Sequence, residues 1–413
     1  MIGSITEERG TVSPPPYLAK GDVFRLLDLP AGFMVGYDAS VITTRDSLQG
    51  FRDIPPGVHF LWVQHPNPSP RYGYWFITKQ PPVARIKQWD KFNEVLGEVA
   101  SQYEAREQEN NIGATYGSLL PWYSAGESST NAATEWSRLT DAISVPFLGK
   151  VTGKKRVDEW LVETMDCVKG ESRLAPDMTT TTDAYKTIVG SELQFSFAQD
   201  FEDLRVLGQD ADADTTNRVL SAAGRDIWDQ DIVAELQFTF ITGIYLANHA
   251  CLSQWWSLVL RIVLRSFRLA LERPLLCRSL LSTLHAQLVF ANEHLGAVGA
   301  PERDGLASNP LFDISSGKTL LLKNALAEYK RHLDPLLLEL GGNITQDQEA
   351  AGRAFSDLEA WLWDRGWDLR NQPKGRTAPV LDEEEDDDDD EKPVVVHLDE
   401  DGKEIGLVNF DRD

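Results

Sequence analysis

IPPGVHFLWVQH, residues 54–65, and RYGYWFIT, residues 71–78, decide the architecture of the first part of the chain. Pro55 and Pro56 fix φ and Gly57 permits a positive one, so the triplet makes a rigid reversal. β-Branched and aromatic residues follow it at once, and a Pro-Asn-Pro-Ser-Pro loop separates the two runs. Upstream, VFRLLDLPAGFMVGYDASVI (23–42) alternates short apolar runs with breaks at Pro-Ala-Gly and Gly36. Downstream, PPVARIKQW (81–89) follows a double proline. Short strands punctuated by Gly and Pro every ten residues or so predict an antiparallel β-sandwich-like domain over 1–165.

The texture then changes. Phe92, Val95, Val99 and Tyr103 recur at spacings of three and four and predict helix from about residue 90, interrupted by a Gly/Ser-rich loop, GESSTNA (126–132), before WSRLTDAI (136–143). Residues 166–213 are expected to link two domains, with Thr179 to Thr182 unbroken and a strand over 191–201, where Leu193, Phe195 and Phe197 alternate with polar neighbours. Residues 214–370 read as an all-α, α–α stacked domain. Asp214 or Thr215 caps its first helix, Ile232, Leu236, Phe240, Ile244 and Ala247 form a stripe on the second, and Trp255 to Leu271 make a third. Pro274 to Gly296, Lys318 to Leu340 and Gln348 to Trp363 complete it. The last segment, 371–413, is an acidic tail.

The chain has 413 residues and a net charge of −24, and residues 381–413 hold 16 acids against 3 bases. This balance argues against a sequence-independent nucleic-acid binder, which needs surplus Lys and Arg to displace counterions. It also disfavours an anionic membrane surface. Cys167, Cys251 and Cys277 are isolated, so neither a disulfide framework nor a Cys-x-x-Cys knuckle is available, which suits a reducing compartment. The N-terminus shows no basic region leading into an apolar core, so no secretory signal is expected. Leu236 to Leu260 lacks Lys, Arg, Asp and Glu, yet Gln237, Thr239, Thr242, Asn248, His249, Ser253, Gln254 and Ser257 are spread along it. Buried helices, not a membrane span, are expected there.

Chemical motifs are sparse. Ser-Ser-Gly-Lys-Thr (315–319) has Phe312 where a phosphate loop needs its first glycine, so it reads as a helix start. Asp210, Asp212 and Asp214 resemble a calcium loop, but Thr215 and Ser221 replace its glycine and its bidentate Glu. His249, His285 and His294 lie near apolar stripes and are expected to be core histidines. No catalytic residue, metal site or cofactor is expected. The tail is more informative. Asp382, Glu383, Glu384, Glu385, Asp386, Asp387, Asp388, Asp389, Asp390 and Glu391 repel one another and are expected to be disordered alone. Behind them stands KPVVVHL, whose Val394, Val395, Val396, His397 and Leu398 are expected to add as a strand to another sheet. Docking onto the chain's own N-terminal sheet is the alternative. The acids act as gatekeepers against aggregation.

GYD (36–38), FRDIPPGVHFLW (51–62), the aromatic run after it and Arg85–Trp89 resemble the N-terminal domain of the A1-cistron splicing factor family. AELQFTFITGIYLANHACLSQWWSLVLRIVLRS (234–266) resembles that family's helical stretch, with ELQF opening the helix, and PVVVHLDEDGKEIG (393–406) its C-terminal end. The resemblance implies a non-enzymatic assembly factor of the U5 small nuclear ribonucleoprotein, acting in cytoplasm and nucleus. Such a factor binds the RNase H-like and Jab1/MPN-like domains of the large spliceosomal scaffold protein, partly through its tail. It thereby blocks premature helicase and RNA binding, and no direct nucleic-acid or membrane contact is implied. Asp38, Pro55, Pro56, Gly57 and His59 match the N-terminal motif, where turn formation is the expected role. The alternative function is a generic acidic chaperone or scaffold for basic proteins.

Overall fold

A computed structural model describes residues 15–46, 48–67, 70–123, 127–155, 157–169, 191–197, 214–223, 228–294 and 316–370. The tail residues named above lie outside the described residues, as do Asp210 and Asp212.

Two five-stranded sheets form the N-terminal part. The first runs β8 (Val95–Gly97), β7 (Ala84–Asp90), β1 (Asp22–Leu27), β4 (Gly50–Ile54), β9 (Leu120–Pro121). The second runs β10 (Glu159–Glu163), β6 (Tyr72–Thr78), β5 (Gly57–Gln64), β2 (Met34–Tyr37), β3 (Ser40–Thr43). Pairing is mostly antiparallel, but β1 runs parallel to β7 and β4 parallel to β9. Between the sheets lie Phe24, Val35, Phe51, Leu61, Tyr74, Phe76 and Trp89. The other face of the second sheet presents Phe60, Trp62 and Trp75 to the helices. Alternate residues of β5 thus enter two different cores, which is why GVHFLWVQ reads as an unbroken apolar run and not as an alternating one.

The helices are α1 (Gln102–Thr115), α2 (Glu127–Thr140), α3 (Val145–Val151), α4 (Thr216–Ala223), α5 (Asp229–Leu246) and α6 (His249–Ser257). A π-helical turn, Leu258–Val263, continues α6, and α7 (Leu269–Glu272), α8 (Pro274–His294), α9 (Ser316–Leu340) and α10 (Gln346–Trp363) follow. α1 covers the outer face of the first sheet, where Ile112 meets Val23 and Leu119. α2 and α3 lie with the C-terminal helices. Trp136, Leu139 and Phe147 share one core with Phe238, Phe240 and Trp255. Trp75 donates its indole N–H to Thr242 at 3.1 Å, joining sheet to helix directly.

Several sequence expectations are corrected. The period across 92–103 is not helical: Asp90 accepts the amides of Phe92 and Asn93 at 2.8 and 3.2 Å, turning the chain into β8. Phe92 and Tyr103 are 87% and 79% exposed, so no apolar face exists there. GESSTNA is not a loop, since α2 begins at Glu127; Ser, Thr and Asn are tolerated in a first turn, where amides lack intrahelical partners. ELQF lies inside α5, beginning at its seventh residue. Residues 255–271 are not one helix, because α6 starts at His249 and the chain bends between Leu264 and Arg268. The start of the expected linker is ordered: β11 (Cys167–Val168) pairs in parallel with β12 (Glu192–Leu193), the only strand described within 191–197. His249 and His294 are exposed and His285 is half-buried, whereas His59 is a core histidine at 2% exposure. Among the described residues no helix is long and apolar enough to cross a membrane.

Candidate functional site

The N-terminal motif builds a polar hub. Asp38 follows β2 at φ +48, a left-handed turn that Asp tolerates, and is 1% exposed. Its Oδ2 accepts from His59 Nδ1 at 2.8 Å, Trp122 Nε1 at 2.7 Å and the Tyr123 hydroxyl at 2.9 Å, and its Oδ1 accepts the Phe60 amide at 3.1 Å. His59 Nε2 lies 2.9 Å from the Pro55 carbonyl, so both ring nitrogens face oxygen acceptors. Thr78 donates to the same carbonyl at 2.5 Å and accepts the Gly57 amide at 2.8 Å. Burial and the Asp38 charge push the Tyr123 phenol well above its ordinary value, so it remains a donor. Turn formation by Pro55–Gly57 is therefore one function of the motif, and tying β9 and its flank to the second sheet is another. Gly36 is needed nearby, because a Cβ there would meet Trp62 Nε1 at 1.9 Å.

A charged cluster sits at the seam of the two sheets. Arg85 pairs with Asp22 and, at 3.4 Å, with Glu159, while Lys87 pairs with Glu98 and, at 2.5 Å, with Glu159. Arg85 and Lys87 alternate with Trp89 on the buried face of β7, which explains a strand whose inward positions carry charge.

Amide side chains hold the seam between sheets and helices. Asn248 donates to the carbonyls of Glu163, Thr164 and Asp166 at 2.8–3.1 Å and accepts the Cys251 amide at 2.8 Å, capping α6. Gln237 accepts the Ala142 amide at 3.0 Å, and Gln287 bridges Trp255 Nε1 and the Leu236 carbonyl. These bonds satisfy Gln237 and Asn248, two polar residues of the charge-free stretch, within the core. Two buried carboxyls fasten the segment 191–197. Asp166 accepts the Ser191 amide at 2.6 Å, and burial raises its pKa from 3.8 to about 6. Glu235 accepts the Ser196 amide at 2.7 Å and Gln254 Nε2 at 2.8 Å, and burial pushes it upward too.

A groove of about 910 Å3 runs along α8, with α2 and the start of α5 to one side and α10 to the other. Arg138, Arg278 and His285 line it together with Glu135, Asp141 and Asp357. At its end Leu275 is 57% exposed, and Trp228, preceding α5, is 78% exposed. Glu135, Glu293 and His294 bring their ligand atoms within 4.8 Å of one another, the set among the described residues that could hold a cation. His294 and Glu135 already bond at 3.0 Å. The second sheet ends at β3 and β10, and on and beside β3 Val41 and Met34 are 47% and 38% exposed.

Sequence reasoning found Asp38 and His59 but missed Trp122, Tyr123, Asn248 and Glu235 as their kind of residue. The signals were a Trp-Tyr pair just before a Ser-rich stretch and single polar residues inside an apolar run.

Comparison with known families matches residues 20–153 to the AAR2 N-terminal domain and residues 205–370 to the AAR2 C-terminal repeat region. A protein AAR2 homolog of Caenorhabditis elegans is 26% identical over 276 residues, 60% of this chain and 74% of that one. The human protein AAR2 homolog is 26% identical over 313 residues, 67% of this chain and 79% of that one. The matched regions leave 154–204 between them, where β10, β11 and β12 complete the seam.

Proposed function

The chain belongs to the AAR2 family, the one its motifs resemble, and from that premise we propose that it is a non-enzymatic assembly factor of the U5 small nuclear ribonucleoprotein in pre-mRNA splicing. The observation that carries this reading is the match of both family regions, in order, across two core-sharing halves. Its partner is the large spliceosomal scaffold protein, engaged at the RNase H-like and Jab1/MPN-like domains while the precursor particle moves from cytoplasm to nucleus.

The tail supplies the finer mechanism. Val394, Val395, Val396, His397 and Leu398 add as a strand to an open sheet edge of the scaffold protein, gaining backbone hydrogen bonds and seating alternate side chains. The ten acids Asp382–Glu391 lie over a basic, RNA-handling surface of that partner and set on-rate and specificity. The factor thereby withholds the scaffold from the particle's helicase and from RNA until maturation. The folded body positions the tail: its hub and seam lock sheets and helices into one support.

A capture experiment tests this. The isolated RNase H-like and Jab1/MPN-like domains are offered to the full chain and to a chain lacking 381–413. Retention by the full chain and loss with the shortened one is the expected result. Equal capture by both removes the tail from the mechanism, and capture by neither removes the partner.

A further inference from the structure

The groove along α8 has no part in the function proposed for the tail. Its floor is one face of α8 from Leu275 to Val289, about 21 Å at a helical rise of about 1.5 Å per residue. Between those ends the floor presents Ser279, Ser282 and Ala286 at successive turns, so it is low enough to take bulky side chains from outside. Leu275 and Trp228 stand exposed at one end. Trp228 is held in place there. The Asp231 amide donates to its carbonyl at 2.8 Å, and Asp229 accepts Arg273 Nη1 on both carboxylate oxygens at 2.9 Å. An exposed Trp beside arginine is the composition of an interface hot spot.

The charges along the groove are unevenly answered. Three of its acids already have partners: Asp229 holds Arg273, Glu135 lies 3.0 Å from His294, and Asp141 accepts Gln237 Nε2 at 2.6 Å. Two of its bases do not. Arg138 and Arg278 are exposed and have no carboxylate at ion-pairing distance among the described residues. The fourth acid, Asp357 on α10, faces His285. Burial pushes the His285 imidazole below its ordinary value; Asp357 opposes this, and the charges of Arg365 and Arg138 add to it. Arg365 lies 3.9 Å over the Trp361 ring, which packs against His285 with centroids 5.7 Å apart. The middle of the groove thus sets Arg138, Arg278 and Arg365 around a neutral imidazole, against one unanswered carboxylate.

We infer that the groove is a docking site for an acidic amphipathic helix of a partner protein, which lays its apolar ridge on the Ser279–Ser282–Ala286 floor and brings carboxylates to Arg138 and Arg278. Charge complementarity selects this guest over a basic one, whose lysines would meet unpaired guanidinium groups. The walls are helices on either side of α8, so a further helix laid between them packs as the chain's own helices do. The chain's net charge of −24 slows the approach of such a guest without altering the pairs made on contact. The groove lies on the folded body and is independent of the tail, so a failure here leaves the proposed function standing.

The experiment offers the full chain a fluorescein-labelled helical peptide of about 18 residues, with Leu at i, i+3, i+4 and i+7 and Glu on the flanks, and a twin with Lys in place of Glu. By fluorescence anisotropy the glutamate peptide should bind at least about tenfold more tightly than its twin. The double variant Arg138→Glu, Arg278→Glu changes two exposed residues, should keep the native unfolding curve, and should reverse the preference. Ser282→Trp raises the floor, leaves every charge in place, and should weaken the glutamate peptide by about tenfold or more. The inference is overturned if the glutamate peptide does not bind at about 100 μM, or if the lysine twin binds as well or better. It is equally overturned if either variant leaves the glutamate peptide's affinity unchanged, since the peptide then sits elsewhere.

Discussion

In the N-terminal sheets the buried carboxylate of Asp38 draws donors from two distant segments, His59 and Phe60 on one and Trp122 and Tyr123 on the other, whereas in the helical half the buried carboxyl of Glu235 is met by Gln254 and by the adjoining residues Ser196 and Phe197. Asp38 is surrounded as a charge should be, by His59, an indole, a phenol and a peptide N–H. Burial outweighs the bonds at Glu235 and pushes its pKa up, and the same holds at Asp166. The difference is one of purpose. Asp38 organises groups from β5 and from the segment after β9 that would otherwise be orphaned together. Glu235 in α5 and Asp166 between β10 and β11 each hold one end of the short segment 191–197. Removing the first should unfold a domain, and removing the second should loosen a strap.

The sharpest way to break this contrast is Asp38→Ala. It orphans four donors at once, and a loss of about 3–5 kcal/mol is expected by denaturant unfolding, a large part of a typical domain's stability. A loss below about 1 kcal/mol would show that the hub organises nothing. Asn248→Ala comes next, because it strips three carbonyls and a helix cap at the sheet–helix seam. About 2–4 kcal/mol is expected, with early hydrogen exchange over 163–168. Gly36→Ala forces a Cβ into the Trp62 ring and should cost about 1–3 kcal/mol, with a changed Trp fluorescence as the independent sign.

The smallest effect is a pH dependence. Folded Asp166 titrates near 6 against an ordinary 3.8, so folding takes up a proton between those values. Its contribution is full below about pH 4 and lost as pH rises through 6. Stability should thus gain up to about 3 kcal/mol from this group between pH 7.5 and 4. Chemical unfolding of the native chain and Asp166→Asn at both pH values checks it. The variant should lack this gain, and parallel curves would refute the assignment.

The residues that announced the fold are those with one possible environment. Pro55-Pro56-Gly57 and the aromatic runs after it allow little besides paired strands, and the split of β5 between two cores explains why no alternation was visible. The 92–103 stretch misled because four apolar residues fell at helical spacing by chance, while the deciding residue was polar: Asp90, whose carboxylate turns the chain. GESSTNA misled because Ser, Thr and Asn favour loops and helix starts alike. At the site, Asp38 and His59 were legible through their motif. Trp122 and Tyr123 were not, since they arrive at Asp38 from a separate strand and no local pattern marks a long-range hydrogen bond. Asn248 stood out only as a polar residue in an apolar run, the same observation that argued against a membrane span.

We propose that the Val-rich ribbon behind the acidic run docks by strand addition. Its most direct measurement is the affinity of the full chain, and of Val394→Asp with Val396→Asp, for the RNase H-like and Jab1/MPN-like domains held together. A loss of about 100-fold or more is expected on changing the two valines, with the body's unfolding curve unchanged. Undiminished affinity would contradict it and would favour an acidic chaperone that needs the charges and not the ribbon.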